Sequence, residues 1–363
     1  MREYLVTLLI AAALCYLITP LVRNYAIKFG AVAQVRSRDA HTTPTARWGG
    51  VAMWLAMTLT FLIVNHFSLV GKSFGHEAQG IFLAATFIVL LGIADDRYEL
   101  DSLTKLAGQA LAAGILLLYG IQILWIPASE VITLPASVGQ FLTVVIVLVT
   151  INAVNFIDGL DGLAAGIVAV SAAAFFAFSY LLAVVYGFSR AGAPSLMTAV
   201  IIGVCIGFLP HNWHPARIFM GDSGSMLLGL VLASSAVTLT GQIDPNAISE
   251  AKLGPTLLPL FLPFAVLAIP LLDLVLAVIR RLAKGKSPFS PDKEHLHHRL
   301  MSAGKTQQRT AIIMYLATAT IAFPVTIAAF EPLWVAALTA VAFILITVFV
   351  YRAKFERVEK VNG

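Results

Sequence analysis

Three short stretches carry carboxylates, amides and glycines at spacings that suit phosphate and divalent-cation chemistry. Asp95 and Asp96 are adjacent in DDRYE (95–99). Neighbouring carboxylates repel unless a cation or proton lies between them, so the pair reads as a magnesium or pyrophosphate site, against the plainer reading of a solvated helix cap. NAVNFIDGLDG (152–162) adds Asn152, Asn155, Asp158 and Asp161. Its two aspartates are three apart and share a face if helical, and Gly159 and Gly162 allow close backbone approach to a ligand. FMGDSGS (219–225) sets Gly221 and Asp222 at the opening of an apolar run. A helix start offers free N–H groups and a positive dipole end, which suits phosphate, with Asp222 placed to hold a metal that bridges to it.

A fourth stretch, RRLAKGKSPFSPDKEHLHHRL (280–300), is basic. Ser290 as N-cap, Pro291 at the first helical position and Asp292 in the first turn predict a short helix that Gly304 ends. His295 and His298 would then share a face. With the lysines, His295, His297 and His298 read as contacts for an anionic substrate. Zinc is disfavoured because no cysteine is near and the other acids prefer a harder cation. Lys105, four residues before Gln109, reads either as a phosphate contact or as a snorkelling cation. Arg47, before Gly49-Gly50, reads as a substrate contact or a topological charge. Asp273 lies within an apolar run, where a carboxylate is costly, and reads as a helix–helix pair or a catalytic group. His211 and His214 read as shaping the segment before Asp222.

The elements that must position these groups are membrane helices. The chain has 363 residues, 59% hydrophobic and 12% charged, against about 25% charged in soluble domains. No water-shielded core of this size absorbs so much apolar side chain. The fold class is an all-α polytopic membrane protein. Spans fall at about 4–22, 51–69, 79–94, 103–120, 138–154, 163–186, 196–209, 225–240, 257–279, 310–329 and 333–351, each near the roughly 20 residues a bilayer needs. The first is read as a retained span, not a cleaved leader. With eleven spans, the N-terminus outside and the C-terminus cytoplasmic, 20 Lys/Arg fall on the inner side and 4 on the outer, as the positive-inside rule asks. Pro259, Pro263 and Pro270 predict a kinked or broken ninth span. Residues 123–135 suggest a small outer hairpin. Cys15 and Cys205 lie in apolar runs and supply neither disulfide framework nor zinc site. The basic balance is a topology signal, so no nucleic-acid partner is expected. The whole chain, 1–363, reads as one membrane domain, with 280–309 as a cytoplasmic substrate-recognition loop.

All three acidic stretches and the basic loop fall on the predicted inner face. Carboxylates for a cation, basic groups and oriented N–H donors are the equipment of phosphoryl transfer, which works by positioning and charge neutralisation. An ion-coupled transporter is the alternative from another class. It would place acids at mid-membrane and show internal repeats, and no repeat is visible.

DDRYE (95–99), NAVNFIDGLDGLA (152–164), IFMGDSGSM (218–226) and PFSPDKEHLHHRL (288–300) resemble the polyprenyl-phosphate N-acetylhexosamine-1-phosphate transferases. These are the WecA-type enzymes, relatives of the MraY translocase. The resemblance runs in order from about residue 30 to 305, and LPHNWHPARIFMGDSGSM (209–226) is similar to the actinobacterial members. It implies that N-acetylglucosamine-1-phosphate passes from UDP-GlcNAc to an undecaprenyl or decaprenyl phosphate at the cytoplasmic face of a bacterial inner membrane. UMP is released, and the lipid-linked sugar primes a cell-envelope polysaccharide. The MraY-type reaction on a muramyl-pentapeptide nucleotide is the alternative within the superfamily. The cation expected is Mg²⁺, which Mn²⁺ could replace; a homodimer is one assembly open to the chain, whose sequence does not fix the oligomeric state. Asp222 and Asn155 would hold the metal on the diphosphate. Asp95 and Asp96 would position or deprotonate the lipid phosphate, with metal involvement. Asp158 and Asp161 would shape the nucleotide side, with Asn152, Gly221 and Arg47 among the substrate contacts. Lys105 would contact phosphate, and His295, His297 and His298 would read the sugar phosphate or the N-acetyl sugar.

Overall fold

A computed structural model describes residues 1–33, 45–73, 75–126, 132–188, 191–242, 265, 267–285 and 296–353. Twelve helices are found among them: α1 (Arg2–Lys28), α2 (Gly49–Val64), α3 (His76–Tyr98), α4 (Ser102–Leu118), α5 (Ala136–Ile157), α6 (Leu163–Tyr180, extended by a π turn Leu181–Val185), α7 (Gly192–Asn212), α8 (Gly221–Gln242), α9 (Ala268–Ala283), α10 (Leu296–Ser302), α11 (Gln307–Ala328) and α12 (Leu333–Arg352). Two two-residue antiparallel ladders accompany them, β1 (Val32–Ala33) with β2 (Thr45–Ala46) and β3 (Trp125–Ile126) with β4 (Ile132–Thr133). The second is the hairpin expected at 123–135.

Eight of the described helices are long and apolar enough to cross a bilayer, and α2 and α4 are shorter apolar helices. Ten of the eleven expected spans therefore coincide with an apolar helix. For the ninth, residues 251–264, with Pro259 and Pro263, lie outside the described residues. Pro270 falls in the first turn of α9, where no backbone N–H has an intrahelical partner to lose, so it opens that helix and does not kink it.

Of the three shortest expected spans, 79–94, 196–209 and 225–240, the last two, α7 and α8, are the most buried of the long apolar helices described. The most apolar stretch of α8 is 94% buried, whereas that of α12 is only 6% buried. The reason is composition. In a bilayer, the helix facing lipid must be apolar, while a central helix gains more from small residues that admit neighbours. Along α8, an added Cβ on Gly224 would meet Gly50 Cα at 3.0 Å, and one on Gly229 would meet Ile151 Cα at 2.7 Å. From α3, a Cβ on Gly92 would lie 2.3 Å from Ser223 Cα. Helices α2, α3 and α5 thus reach α8 backbone to backbone.

Local signals set the helix ends near the acids. Asp101 caps α4, its carboxylate accepting the N–H groups of Leu103 and Thr104 at 3.0 Å each. Before α2, the chain runs beside the segment that leads into α8. Phe219 N–H donates to Ala46 O (2.8 Å), Gly49 N–H to Phe219 O (3.0 Å) and Gly50 N–H to Met220 O (3.0 Å). Trp48 turns this corner at φ 77°, in the left-handed region.

Candidate active site

The C-terminal end of α3, the N-terminal ends of α4 and α8, and the C-terminal end of α5 meet at one end of the bundle. Asp222 is their hub. Lys105 Nζ donates to Asp222 Oδ2 at 2.8 Å and lies 2.5 Å from Asp95 Oδ2. Asn155 Nδ2 donates to Asp222 Oδ1 at 3.1 Å and to Ser225 Oγ at 2.9 Å. Asp95 Oδ1 accepts the Leu100 N–H at 2.8 Å, which closes the DDRYE turn where Glu99 adopts φ 50°. Asp95, Asn155 and Asp222, from the three acidic stretches, and Lys105 from α4 are thus in one hydrogen-bonded cluster.

Several other expected site residues have structural partners of their own. Both oxygens of Asp96 are committed to α8: Oδ1 accepts the Asp222 N–H (2.9 Å), and Oδ2 accepts the Ser223 N–H (3.2 Å) and hydroxyl (2.9 Å). Asp96 is 7% exposed. The first N–H groups of α8, expected to meet phosphate, meet this carboxylate instead, because a helix start attracts whichever anion is nearest. In this structure Asp96 is the cap of the helix that carries Asp222. Gly221, expected as a substrate contact, makes room for it. An added Cβ there would lie 2.5 Å from Asp96 Oδ2, and its φ of 71° suits glycine. Asp96→Asn is expected to reduce thermal stability by about 1–3 kcal/mol, the cost of setting an amide N–H₂ against buried N–H donors. Thermal unfolding of the purified variant in detergent measures it.

Asn152, one turn before Asn155, ties α5 to α4. Its Nδ2 donates to Gln109 Oε1 at 2.7 Å, and Gln109 Nε2 approaches Met226 Sδ at 3.7 Å. Asp161 ties the 158–162 turn to the segment before α8. Its Oδ2 accepts the Ala216 N–H at 3.1 Å and pairs with His214 Nδ1 at 2.8 Å. Asn212 spans the same gap, from the Gly162 N–H (3.0 Å) to the Ile218 carbonyl (2.9 Å). Asp161 and Asn152, expected as reacting or substrate groups, are thus used as fasteners, and His214 is the shaping residue expected before Asp222. Asp158 caps α5. Its burial, and then the charges of Asp222, Asp96 and Asp161, push its carboxyl up to about 8, while Arg47 pulls it down. That places Arg47 within electrostatic range of the cluster. His295 lies outside the described residues, as do the side chains of His297 and His298 and the predicted start at Ser290–Asp292. Gly304 ends α10 with φ 80°, as expected.

Gln109, Asn212, Ser225 and Tyr315 complete the arrangement without having been singled out. Gln109 did carry a signal, a second polar residue one turn after Lys105. Tyr315 carried none. Its hydroxyl donates to Gly162 O at 2.6 Å across 153 residues of chain.

Excess negative charge invites a cation. The Lys105 ammonium bridges Asp95 and Asp222, and Asp158 feels the charges of Asp222, Asp96, Asp161 and Arg47. Among the described residues no three His, Cys, Asp or Glu form a metal cage. Mg²⁺ needs no such cage, since it takes one or two carboxylates and keeps water or phosphate oxygens for the rest. Asp222 and Asp95 are the residues that could offer such a cation hard oxygens. Asn155 turns its N–H₂ toward Asp222, so it orients that carboxylate. Lys105→Met is expected to lower turnover about 10²-fold, because removing the bridging charge leaves Asp95 and Asp222 in mutual repulsion. Steady-state kinetics of the purified variant would show it.

Residues 78–240, which run from the first turn of α3 to the last turn of α8 and include Asp95, Lys105, Asn155 and Asp222, match the family described as glycosyl transferase family 4. The decaprenyl-phosphate N-acetylglucosaminephosphotransferase of Mycobacterium tuberculosis (strain H37Rv) is 40% identical over 330 residues, covering 89% of this chain and 82% of the relative. The chain belongs to the polyprenyl-phosphate N-acetylhexosamine-1-phosphate transferases. Other members of this transferase family are similar too. The probable undecaprenyl-phosphate N-acetylglucosaminyl 1-phosphate transferase of Bacillus subtilis (strain 168) is 30% identical, covering 87% of this chain and 82% of its own length. The undecaprenyl-phosphate alpha-N-acetylglucosaminyl 1-phosphate transferase of Escherichia coli (strain K12) is 29% identical, over 83% and 77%. For a transferase of this family, the cluster at Asp222 is the natural candidate for the reacting centre.

Proposed function

We propose that the protein transfers N-acetylglucosamine-1-phosphate from UDP-GlcNAc to a polyprenyl phosphate, at the cytoplasmic face of a bacterial inner membrane. The observation that carries this reading is the Lys105–Asp222–Asn155–Asp95 cluster at the end of an apolar bundle, in a chain 40% identical to a named decaprenyl-phosphate transferase. A phosphate oxygen of the lipid forms a bond to the sugar-bearing phosphorus. The bond from that phosphorus to the bridging oxygen breaks, and UMP leaves with the electron pair. Both reactants are anions, so their approach needs positive charge in a site of low dielectric. Lys105 and Arg47 supply part of it. Mg²⁺ held by Asp222 and Asp95 would neutralise diphosphate charge and polarise the phosphorus. The lipid phosphate is already a nucleophile, so direct attack needs no enzyme-bound intermediate. Family membership removes the transporter reading, and the named relatives favour the simple hexosamine over a peptide-bearing nucleotide.

The test is transfer by purified protein in detergent with polyprenyl phosphate and radiolabelled UDP-GlcNAc. Label should enter lipid with release of UMP and stop when EDTA is added. Turnover of only a muramyl-pentapeptide nucleotide would reverse the substrate assignment. A trapped phospho-sugar adduct on any aspartate would replace direct attack by a two-step path.

A further inference from the structure

Asp273 is wholly buried on α9, yet it lies outside the Asp222 cluster. A buried carboxylate among apolar helices needs an account. Its Oδ1 accepts the N–H of Leu296 at 2.9 Å. Leu296 is the first residue of α10, the helix that contains His297, His298 and Arg299. The first N–H groups of any helix lack intrahelical partners, and here one is supplied from a different membrane helix, 23 residues back. Two turns further along the same buried face of α9, Arg281 lies 5.1 Å over the ring of Phe156. Phe156 stands between Asn155 and the Asp158 turn. The far end of α10 is tied back as well, through α11: Gln308 Nε2 donates to His214 O at 3.0 Å, and His214 pairs with Asp161. The start of the histidine helix is therefore fastened to α9, which reaches α5 through Arg281 and Phe156, and α11, which follows that helix, is fastened to the segment before α8.

We propose that Asp273 is a positioning residue for the transfer reaction: by holding the Leu296 N–H it fixes where the His297–His298 helix begins relative to Asn155 and Asp158. The inference rests on the proposed reaction, together with the expectation, carried by the family resemblance, that these histidines meet the sugar phosphate. It predicts an effect on the nucleotide sugar and not on the lipid. Asp273→Ala is expected to raise the KM for UDP-GlcNAc roughly 10- to 100-fold, the scale set by a misplacement of about 1 Å, with the KM for polyprenyl phosphate unchanged. Asp273→Asn retains an acceptor oxygen and is expected to keep most activity. Adding Asp273→Ala to His297→Ala/His298→Ala is expected to produce no further loss.

The experiment combines these kinetics, on full-length protein in detergent, with hydrogen exchange of residues 296–302. Protection should fall in Asp273→Ala and persist in Asp273→Asn. Four results would overturn the proposal: equal losses in both variants, full additivity with the histidine pair, equal shifts in both KM values, or unchanged protection in Asp273→Ala. If Asp273→Ala fails to fold, Asp273→Asn decides alone. Near-normal kinetics and protection support the cap, and inactivity in folded protein refutes it. A wild-type protein that transfers from no nucleotide sugar brings down the proposed reaction, whereas loss of exchange protection reports on the cap by itself.

Discussion

Asp222→Asn should lower transfer by at least about 10³-fold, the scale of removing one charge-neutralising group in phosphoryl transfer, while the protein remains folded. Asp222 meets Lys105 and Asn155 together, at 2.8 and 3.1 Å. An amide in its place is nearly the same size, so packing survives. It is neutral, so it loses both the attraction to Lys105 and the affinity for a hard cation. The backbone N–H of residue 222 still donates to Asp96, so α8 keeps its cap. The measurement pairs turnover with thermal unfolding. Lost turnover with an unchanged unfolding temperature is expected, in contrast to Asp96→Asn, where stability falls. Near-normal turnover in Asp222→Asn would remove this residue from the reacting centre.

Gly92→Ala should also disable the protein, against helix propensity. Alanine is the better helix former by about 1 kcal/mol. At this position, however, the new Cβ would lie 2.3 Å from Ser223 Cα and 2.5 Å from Ser223 N. Both are backbone atoms, which cannot rotate away. Helices α3 and α8 must therefore part. Asp96, one turn beyond Gly92, would be drawn off the Asp222 and Ser223 N–H groups, and Asp95 and Lys105 would lose their alignment with Asp222. A displacement of about 1 Å in such a site is worth roughly 10²-fold in rate. Gly114→Ala on α4 is the control, because nothing lies within 4 Å of the added carbon. It should leave activity unchanged and stability equal or higher. Equal activity in the two variants would show that the α3–α8 contact is not what places the cluster.

Much of this was legible in the residues. Apolar runs gave the helices, because a bilayer leaves few other solutions. Polar residues in DDRYE, NAVNFIDGLDG and FMGDSGS marked the site, because such groups at a membrane edge need partners. The division of labour among them was not legible. Asp95 and Asp96 are neighbours in sequence, but the helix turns them some 100° apart, so one faces Lys105 and the other caps α8. Likewise Asp158 and Asp161 belong to one turn, yet Asp161 is taken by His214 and Ala216 from a segment more than 50 residues away. Those partners are set by tertiary packing, which has no local spacing to read. The partners of Tyr315 and Asp273 were hidden for the same reason, although the burial of Asp273 could be suspected from its apolar surroundings.

The central claim is that a divalent cation and a nucleotide diphosphate meet at Asp222. Mn²⁺, in place of Mg²⁺, tests it directly by electron paramagnetic resonance on purified protein with UDP-GlcNAc. The account predicts a bound-Mn²⁺ signal with phosphorus coupling in the wild type, lost in Asp222→Asn and retained in Asp273→Asn. The same coupled signal in Asp222→Asn would place the metal and the diphosphate elsewhere and contradict the account.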